Sequence, residues 1–325
     1  MRSDEIEVRA REAADIGSVA AWSDWPATKI HRIASARHAS LMSDEEIRAR
    51  AGYGVQKQLL TCVVGTDLYP VPARAIGGSF EKLEFQQLGQ TKWTRIDRVE
   101  VTGSEEFEMG PTIAPGRPER FCVQDGFVQL YPSPNAAYPL RFTFYMRPSK
   151  LVQSQSSTLV GAGDAVDRGR ITVKSSSAPW TVTVNAVPFD QLLGTPAAIT
   201  SGLQLIDIVR PNGTFACAAY SQAQTLAGSV FTLTAATAAD MARVQIGDYV
   251  RVADQTDWPM GLPEEAHEMV ALRTAMEIAR DIGVDEKVVL LGAAVQADLE
   301  RFRNSRTPQV KSAPRVIPLR PMFLR

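Results

Sequence analysis

The spacing of hydrophobic positions changes along this chain from helical to alternating, back to helical, and at the end to neither. Ser3-Asp4-Glu5-Ile6 reads as a helix cap, and the polar, alanine-rich run to about Asp15 predicts a first helix. In residues 27–50, Ile30, Ile33 or Ala34, Leu41 and Ile47 predict one or two helices. The break falls near Met42-Ser43-Asp44, because Ser43-Asp44-Glu45-Glu46 is itself a capping signature. From Val55 the period becomes two. Strands are predicted at residues 58–64, 81–87, 93–101, 120–124 and 127–131, and residues 68–72 form a short edge piece because Pro70 and Pro72 remove donors. Asp125-Gly126 is a two-residue hairpin signal. Tyr131-Pro132-Ser133-Pro134-Asn135 then turns the chain, so that a strand at residues 140–146 pairs back.

Alternation continues through residues 153–257, a stretch rich in Ser, Thr, Ala, Gly and Val and without histidine. Strands are predicted at residues 171–173, 180–184, 203–209, 215–217, 230–234 and 249–252, with Pro211-Asn212-Gly213 as a hairpin turn. Such a block reads as a separate β-sandwich or small barrel inserted in a loop, with both ends returning to one place.

The helical period returns at residues 258–304. Pro263, Glu264 and Glu265 suit a helix entry near Pro263. Ala266, Met269, Leu272, Met276 and Ala279 form one stripe, with Glu268, Arg273, Glu277 and Arg280 turned elsewhere. Gly283 is a stop, Asp285 caps a second helix, and Val288, Leu291, Ala294 or Val295, and Phe302 continue the stripe to Asn304. The result is an αα-hairpin about 30 Å long.

Residues 305–325 contain four prolines, which forbid a helix and favour an extended path of about 65 Å. From Arg301 onward there are six arginines, one lysine and no acidic side chain, yet the chain as a whole has a formal charge of only −1. A solvated, frayed end would be poor in large apolar residues, whereas this one carries Val316, Ile317, Leu319, Met322, Phe323 and Leu324. The composition is that of an arm that folds onto a partner. Its candidate partner-binding residues are Arg306, Lys311, Arg315, Ile317, Leu319, Arg320, Met322, Phe323 and Arg325.

The fold class is therefore α+β. A helical platform of N-terminal helices and a C-terminal αα-hairpin carries an antiparallel β-sheet, an inserted all-β sandwich or barrel, and an extended arm. The divisions are residues 1–152, 153–257, 258–304 and 305–325. The order Leu262-Pro263-Glu264-Glu265-Ala266-His267 before two helices, followed by Ser312-Ala313-Pro314-Arg315-Val316 and an end of apolar residues and arginine, resembles the head-to-tail adaptor (connector) proteins of tailed bacteriophages. Asp67-Leu68-Tyr69-Pro70-Val71-Pro72 and Gly126-Phe127-Val128-Gln129-Leu130-Tyr131-Pro132-Ser133-Pro134, with Tyr138-Pro139-Leu140-Arg141, are similar to that family's strand-turn-strand. The inserted block departs from its pattern, because residue 151 would normally lead within a short loop to the C-terminal helices. The resemblance implies a twelvefold ring of copies beneath the portal protein. Such a ring joins head to tail, meets a nozzle or tail-tube protein, and continues the channel that viral DNA crosses. It implies assembly in the host cytoplasm and a final place at the head-tail junction of the virion.

Composition and chemistry add mainly exclusions. With 325 residues, 45% hydrophobic and 22% charged, the chain is long enough for two domains of ordinary globular character. No apolar run is long enough to span a bilayer, and no secretory signal opens the sequence, so no membrane partner is expected. Cys62, Cys122 and Cys217 fit reduced, buried thiols rather than a disulfide framework. His31 and His38 lie seven apart, but no third ligand is near, so they read as core or surface residues and no metal is expected. Gly161-Ala162-Gly163-Asp164 lacks the lysine and setting of a phosphate loop and reads as a linker turn. No catalytic motif occurs, and neither catalytic residues nor a cofactor are expected. Trp22, Trp25, Trp93, Trp180 and Trp258 read as core anchors, although an exposed Trp180 would suggest a ligand platform. Two other readings stand beside the connector. The inserted block could recognise a carbohydrate or a surface protein, and the basic arm could touch nucleic acid.

Overall fold

The computed structural model describes residues 1–16, 24–43, 55–76, 80–99, 114–154, 167–191, 197–198, 202–212, 214–216, 222–234, 236, 238–262 and 264–305. Helix α1 (Ser3–Ala14) begins one residue earlier than a Ser3 cap would allow. Ser3 is buried and helical, and the carboxylate of Glu5 reaches back to accept the Arg2 backbone N–H at 2.8 Å. Helix α2 (Ala27–Ser43) is continuous, so the expected break falls at its end, and residues 44–50 lie outside the described residues.

Seven strands form the first sheet: β1 (Val55–Thr61), β2 (Leu68–Pro70), β3 (Lys82–Gln86), β4 (Trp93–Arg98), β5 (Arg120–Gln124), β6 (Phe127–Tyr131) and β7 (Pro139–Tyr145). Their order is β1-β7-β3-β4-β5-β6-β2. Asp125 and Gly126 have φ of 50° and 80°, the left-handed pair that a two-residue hairpin between β5 and β6 needs. Edge strand β2 holds Pro70, where a missing donor does no harm.

Two expectations are corrected. Strand β7 does not pair back onto β6 but lies between β1 and β3, with Phe142 opposite both Gln58 and Leu83. Leu140, Phe142 and Phe144 are all buried, and a strand that apolar is better covered between two neighbours. The sheet is also not wholly antiparallel, because β4 and β5 run parallel, with Asp97 opposite Arg120. Leu83, Phe85, Ile96, Phe121, Val128 and Leu130 complete the core, and Phe80 packs 5.2 Å from Phe121 and 5.3 Å from Phe142.

After β8 (Lys150–Leu151) come β9 (Ile171–Lys174), β10 (Thr181–Val184), β11 (Phe189–Asp190), β12 (Ala197–Ala198), β13 (Gly202–Val209), β14 (Gln222–Ala227), β15 (Val230–Leu233), α3 (Ala238–Arg243), β16 (Tyr249–Val252) and β17 (Gln255–Thr256). Six of these form an antiparallel sheet in the order β16-β13-β14-β15-β10-β9. Its two ends meet, since the Ile171 N–H donates to the Asp248 carbonyl and the Val250 N–H to the Gly169 carbonyl, both at 2.7 Å. Ile171, Val182, Val184, Ile206, Phe231 and Val250 fill the inside of this barrel. Met241 and Val244, on and just after α3, join that core, so the block is not all-β as expected. Strand β14 was also not anticipated. Gln-Ala-Gln-Thr-Leu-Ala alternates too weakly to announce a strand.

Strands β8 and β17 pair in parallel, and the Val152 N–H donates to the Thr256 carbonyl at 2.9 Å. The points where the chain enters and leaves the barrel region therefore touch.

A 3-10 turn (Glu264–Ala266) leads into α4 (His267–Ile282), four residues beyond Pro263, which lies outside the described residues. Gly283, at φ 82°, ends α4 and donates its N–H toward the carbonyls of Ala279 and Arg280. Helix α5 (Asp285–Ser305) follows. Asp285 is its first residue rather than its cap, and the Val284 carbonyl takes the first N–H groups, from Lys287 and Val288. The predicted α4 stripe is buried at Ala266, Met269, Leu272 and Ala279, and Met276 is half-buried. Val270, Ala271, Thr274, Ala275 and Ile278 are buried as well, because α1, α2 and α5 all pack on α4 and make it the central helix. On α5, Leu291, Val295, Leu299 and Phe302 face inward.

Candidate functional site

Arg306, Lys311, Arg315, Ile317, Leu319, Arg320, Met322, Phe323 and Arg325 all lie outside the described residues, as do Cys217, Trp22 and the Gly161-to-Asp164 turn. The described structure ends with Ser305, at the C-terminus of α5. Three features of the remainder have functional geometry.

The first is a joint of charged and aromatic side chains where barrel, helices and N-terminal segment meet. Arg251 on β16 is 1% exposed and donates two bonds to Asp257, Nε to Oδ1 at 2.8 Å and Nη2 to Oδ2 at 3.0 Å. Arg2 makes the same forked pair with Asp167, at 3.1 and 2.9 Å, and Tyr249 also donates its hydroxyl to Asp167. Both guanidinium groups lie over Trp258, at 4.8 Å for Arg2 and 5.0 Å for Arg251. Burial works to raise the Asp167 pKa, but hydrogen bonds from Arg2 and Tyr249 hold it below the usual carboxylate range. Burial likewise opposes the Arg2 charge, and Asp167 outweighs it and raises the Arg2 pKa. The Ser3 N–H closes the joint on the Asp257 carbonyl at 2.8 Å. The sequence offered one signal for this cluster, a lone arginine in the otherwise apolar run Tyr249-Val250-Arg251-Val252.

The second is a buried link between sheet and barrel. Arg74, which follows β2, donates to Asp207 on β13 and to Ser149, at 2.5 and 2.6 Å. Asp207 is 2% exposed, and burial pushes its carboxyl upward even beside Arg74.

The third is a cleft of about 720 Å³ between the outer face of α2 and residues 147–153. Arg32, Arg147 and Lys150 stand exposed at its rim, while Pro148, Leu151 and Val152 are buried in its wall. Ser35 fixes the two sides together by accepting the Leu151 N–H at 2.8 Å.

The two N-terminal histidines are core residues. His31 lies 3.4 Å from Glu7, and His38, fully buried, donates from Nε2 to the Met260 carbonyl at 2.8 Å. Burial pushes the His38 pKa down to about 4, with the Met260 carbonyl acting the other way and His267 adding to the fall. Cys62 and Cys122 are free and buried, and burial pushes the Cys62 thiol up to about 11. Trp180 is half-buried against the barrel core. Among the described residues no cluster of three or more His, Cys, Asp or Glu side chains is placed to hold a metal ion, and no helix is long and apolar enough to cross a membrane.

Comparison with family models places residues 4–172, just over half the chain, in a family of phage head-to-tail adaptors. The chain belongs to that family, described as SU10 adaptor protein. The match spans α1, α2, the seven-stranded sheet and the start of β9. It stops short of the C-terminal helices and arm, on which part of the sequence resemblance rested. No curated protein matches the sequence.

Proposed function

We propose that this chain is a non-enzymatic structural adaptor at the head-tail junction of a phage virion. Copies form a ring, twelvefold by resemblance, beneath the portal protein. The ring continues the DNA channel toward a nozzle or tail-tube protein, and residues 306–325 dock on the portal. The observation that carries the reading is the family match over residues 4–172, which takes in both N-terminal helices and the whole first sheet. The arm's chemistry supports the docking role. Ile317, Leu319, Met322 and Phe323 offer apolar burial, and Arg315, Arg320 and Arg325 offer charge-assisted bonds that offset the entropy of ordering. Repetition round a ring turns modest single affinities into a stable joint.

In this reading residues 153–257 are an inserted domain, supported by the contact of Val152 with Thr256 at its two ends. Among its described residues Phe231 and Phe189 are buried and Trp180 is half-buried, which supports a spacer between subunits better than a sugar-binding platform.

The test is to delete residues 307–325 and measure native mass, alone and mixed with the portal ring. The full chain should become a stoichiometric ring in the mixture, and the truncated chain should stay folded but unattached. A truncated chain that attaches as well as the full one would remove the arm from the docking role.

A further inference from the structure

Strands β1, β7, β3 and β4 lie side by side, and their register carries one row of side chains across the first sheet. Leu59 stands opposite Arg141, Arg141 opposite Glu84, and Glu84 opposite Arg95. Lys57, Thr143 and Lys82 make the next row. The alternate positions, among them Leu83, Ile96, Leu140 and Phe142, fill the core, so both rows stand on the outer face. That face is basic. Glu84 is the one acid in the two rows, and Lys82 and Arg141 already hold it at 2.9 and 2.8 Å. Lys57 and Arg95 are exposed and form no ion pair among the described residues. Leu59, two residues from Lys57 on the same face, is 58% exposed.

The chain also carries a surface of the opposite sign. On α1, Val8 is 55% exposed and lies at three- and four-residue spacing from Asp4, Glu5 and Glu12, hence beside all three. These carboxylates are exposed, and with Met1, Val8 and Arg9 they line a shallow depression of about 420 Å³. The two cations there are already engaged, the Met1 amine 3.8 Å from Glu5 and Arg9 2.7 Å from Glu268. The sizes agree, since the 12 residues of α1 extend about 18 Å and four strands span about 14 Å. Each surface has one aliphatic side chain open to water beside charges, the plan of an interface with an apolar centre and a polar rim. Because one chain holds both, a contact between copies through them is head-to-tail, the kind that closes into a ring.

We propose that the outer face of β1, β7, β3 and β4 docks on α1 of the next copy, with Leu59 against Val8, and with Lys57 and Arg95 facing Asp4 and Glu12. The proposal rests on the reading of the chain as a ring-forming adaptor and names the surfaces by which neighbours join. Exposed ion pairs are individually weak, so two free copies part readily and the contact accumulates only round the ring.

The experiment reverses charge on full chains and measures native mass after mixing with the portal ring. One variant carries Lys57→Glu with Arg95→Glu, the other Asp4→Lys with Glu12→Lys, all at exposed positions, and melting temperature checks that each is folded. Either variant alone should need at least about tenfold more protein than the parent to fill the ring, because like charges now face each other. An equimolar mixture should fill it again with the two variants in one-to-one ratio, since each then meets its complement on both sides. A ring filled as readily by either variant alone would overturn the proposal, and so would a mixture that fails to recover. Rings that form normally from the sheet variant but lose their hold on DNA would assign the basic face to a polyanion instead. In these three outcomes the parent still forms rings and the adaptor reading stands, whereas a parent that stays monomeric on the portal ring sinks that reading and the contact with it.

Discussion

His38 is a neutral imidazole walled into the packing of α2 against α4, and its Nδ1 finds no hydrogen-bond partner among the described residues. Its folded pKa, about 4, lies below the ordinary 6.5, so between these values the unfolded chain binds the extra proton. Stability is therefore complete above pH 6.5 and falls as pH drops toward 4, by on the order of 3 kcal/mol. His38→Gln keeps a donor for the Met260 carbonyl and should flatten that acid slope, as read from melting temperature against pH. Single residues were legible where their role is local. Gly283 as a helix stop and Asp125-Gly126 as a hairpin turn need only their own φ angles. The partners of Arg251 and Arg2 were not legible, because Asp257 and Asp167 become neighbours only through the fold.

At the level of elements, the strands of the first sheet were read better than their partners, while in the barrel β14 went unread and Phe215, in the strand expected at residues 215–217, makes only an isolated bridge to Val209. Alternation located β5 and β6 to the residue, yet it holds no information on which strand lies alongside, and β7 found β1 and β3 instead of β6. The C-terminal helices were legible, but the single stripe on α4 was not the whole face, because three other helices surround it. Closure of the barrel turns on Gly169, at φ +80°. A Cβ there would stand 2.4 Å from the Val250 carbonyl oxygen and 2.8 Å from Arg251 Nη1. Gly169→Ala should destabilise the protein by at least about 2 kcal/mol, from left-handed strain and from displacing β16. The urea midpoint measures it, and an unchanged midpoint would mean that the sheet does not close there.

Across the whole molecule, sheet and barrel are tied by Arg74 and Asp207. Arg74→Ala should cost about 3–5 kcal/mol in urea unfolding at neutral pH, because it removes the guanidinium that faces the buried Asp207 carboxylate. The loss should shrink in acid, where that carboxyl becomes neutral, and pairing Arg74→Leu with Asp207→Leu should recover most of it. If the single variant is as stable as the parent, the pair does not join the two bodies.

The joint at Trp258 also sets an order of events during synthesis. Arg2 waits for Asp167, Ser3 for Asp257, and α1 as a whole for α4, which leaves the ribosome more than 250 residues later. The seven-stranded sheet, finished by Tyr145, can form while those partners are still unmade. A nascent chain thus carries its N-terminal helix with α2 but without its α4 partner while the residues between them are made. The segment emerging early is among the last to settle, and its docking marks the moment at which barrel, sheet and helices have all been completed.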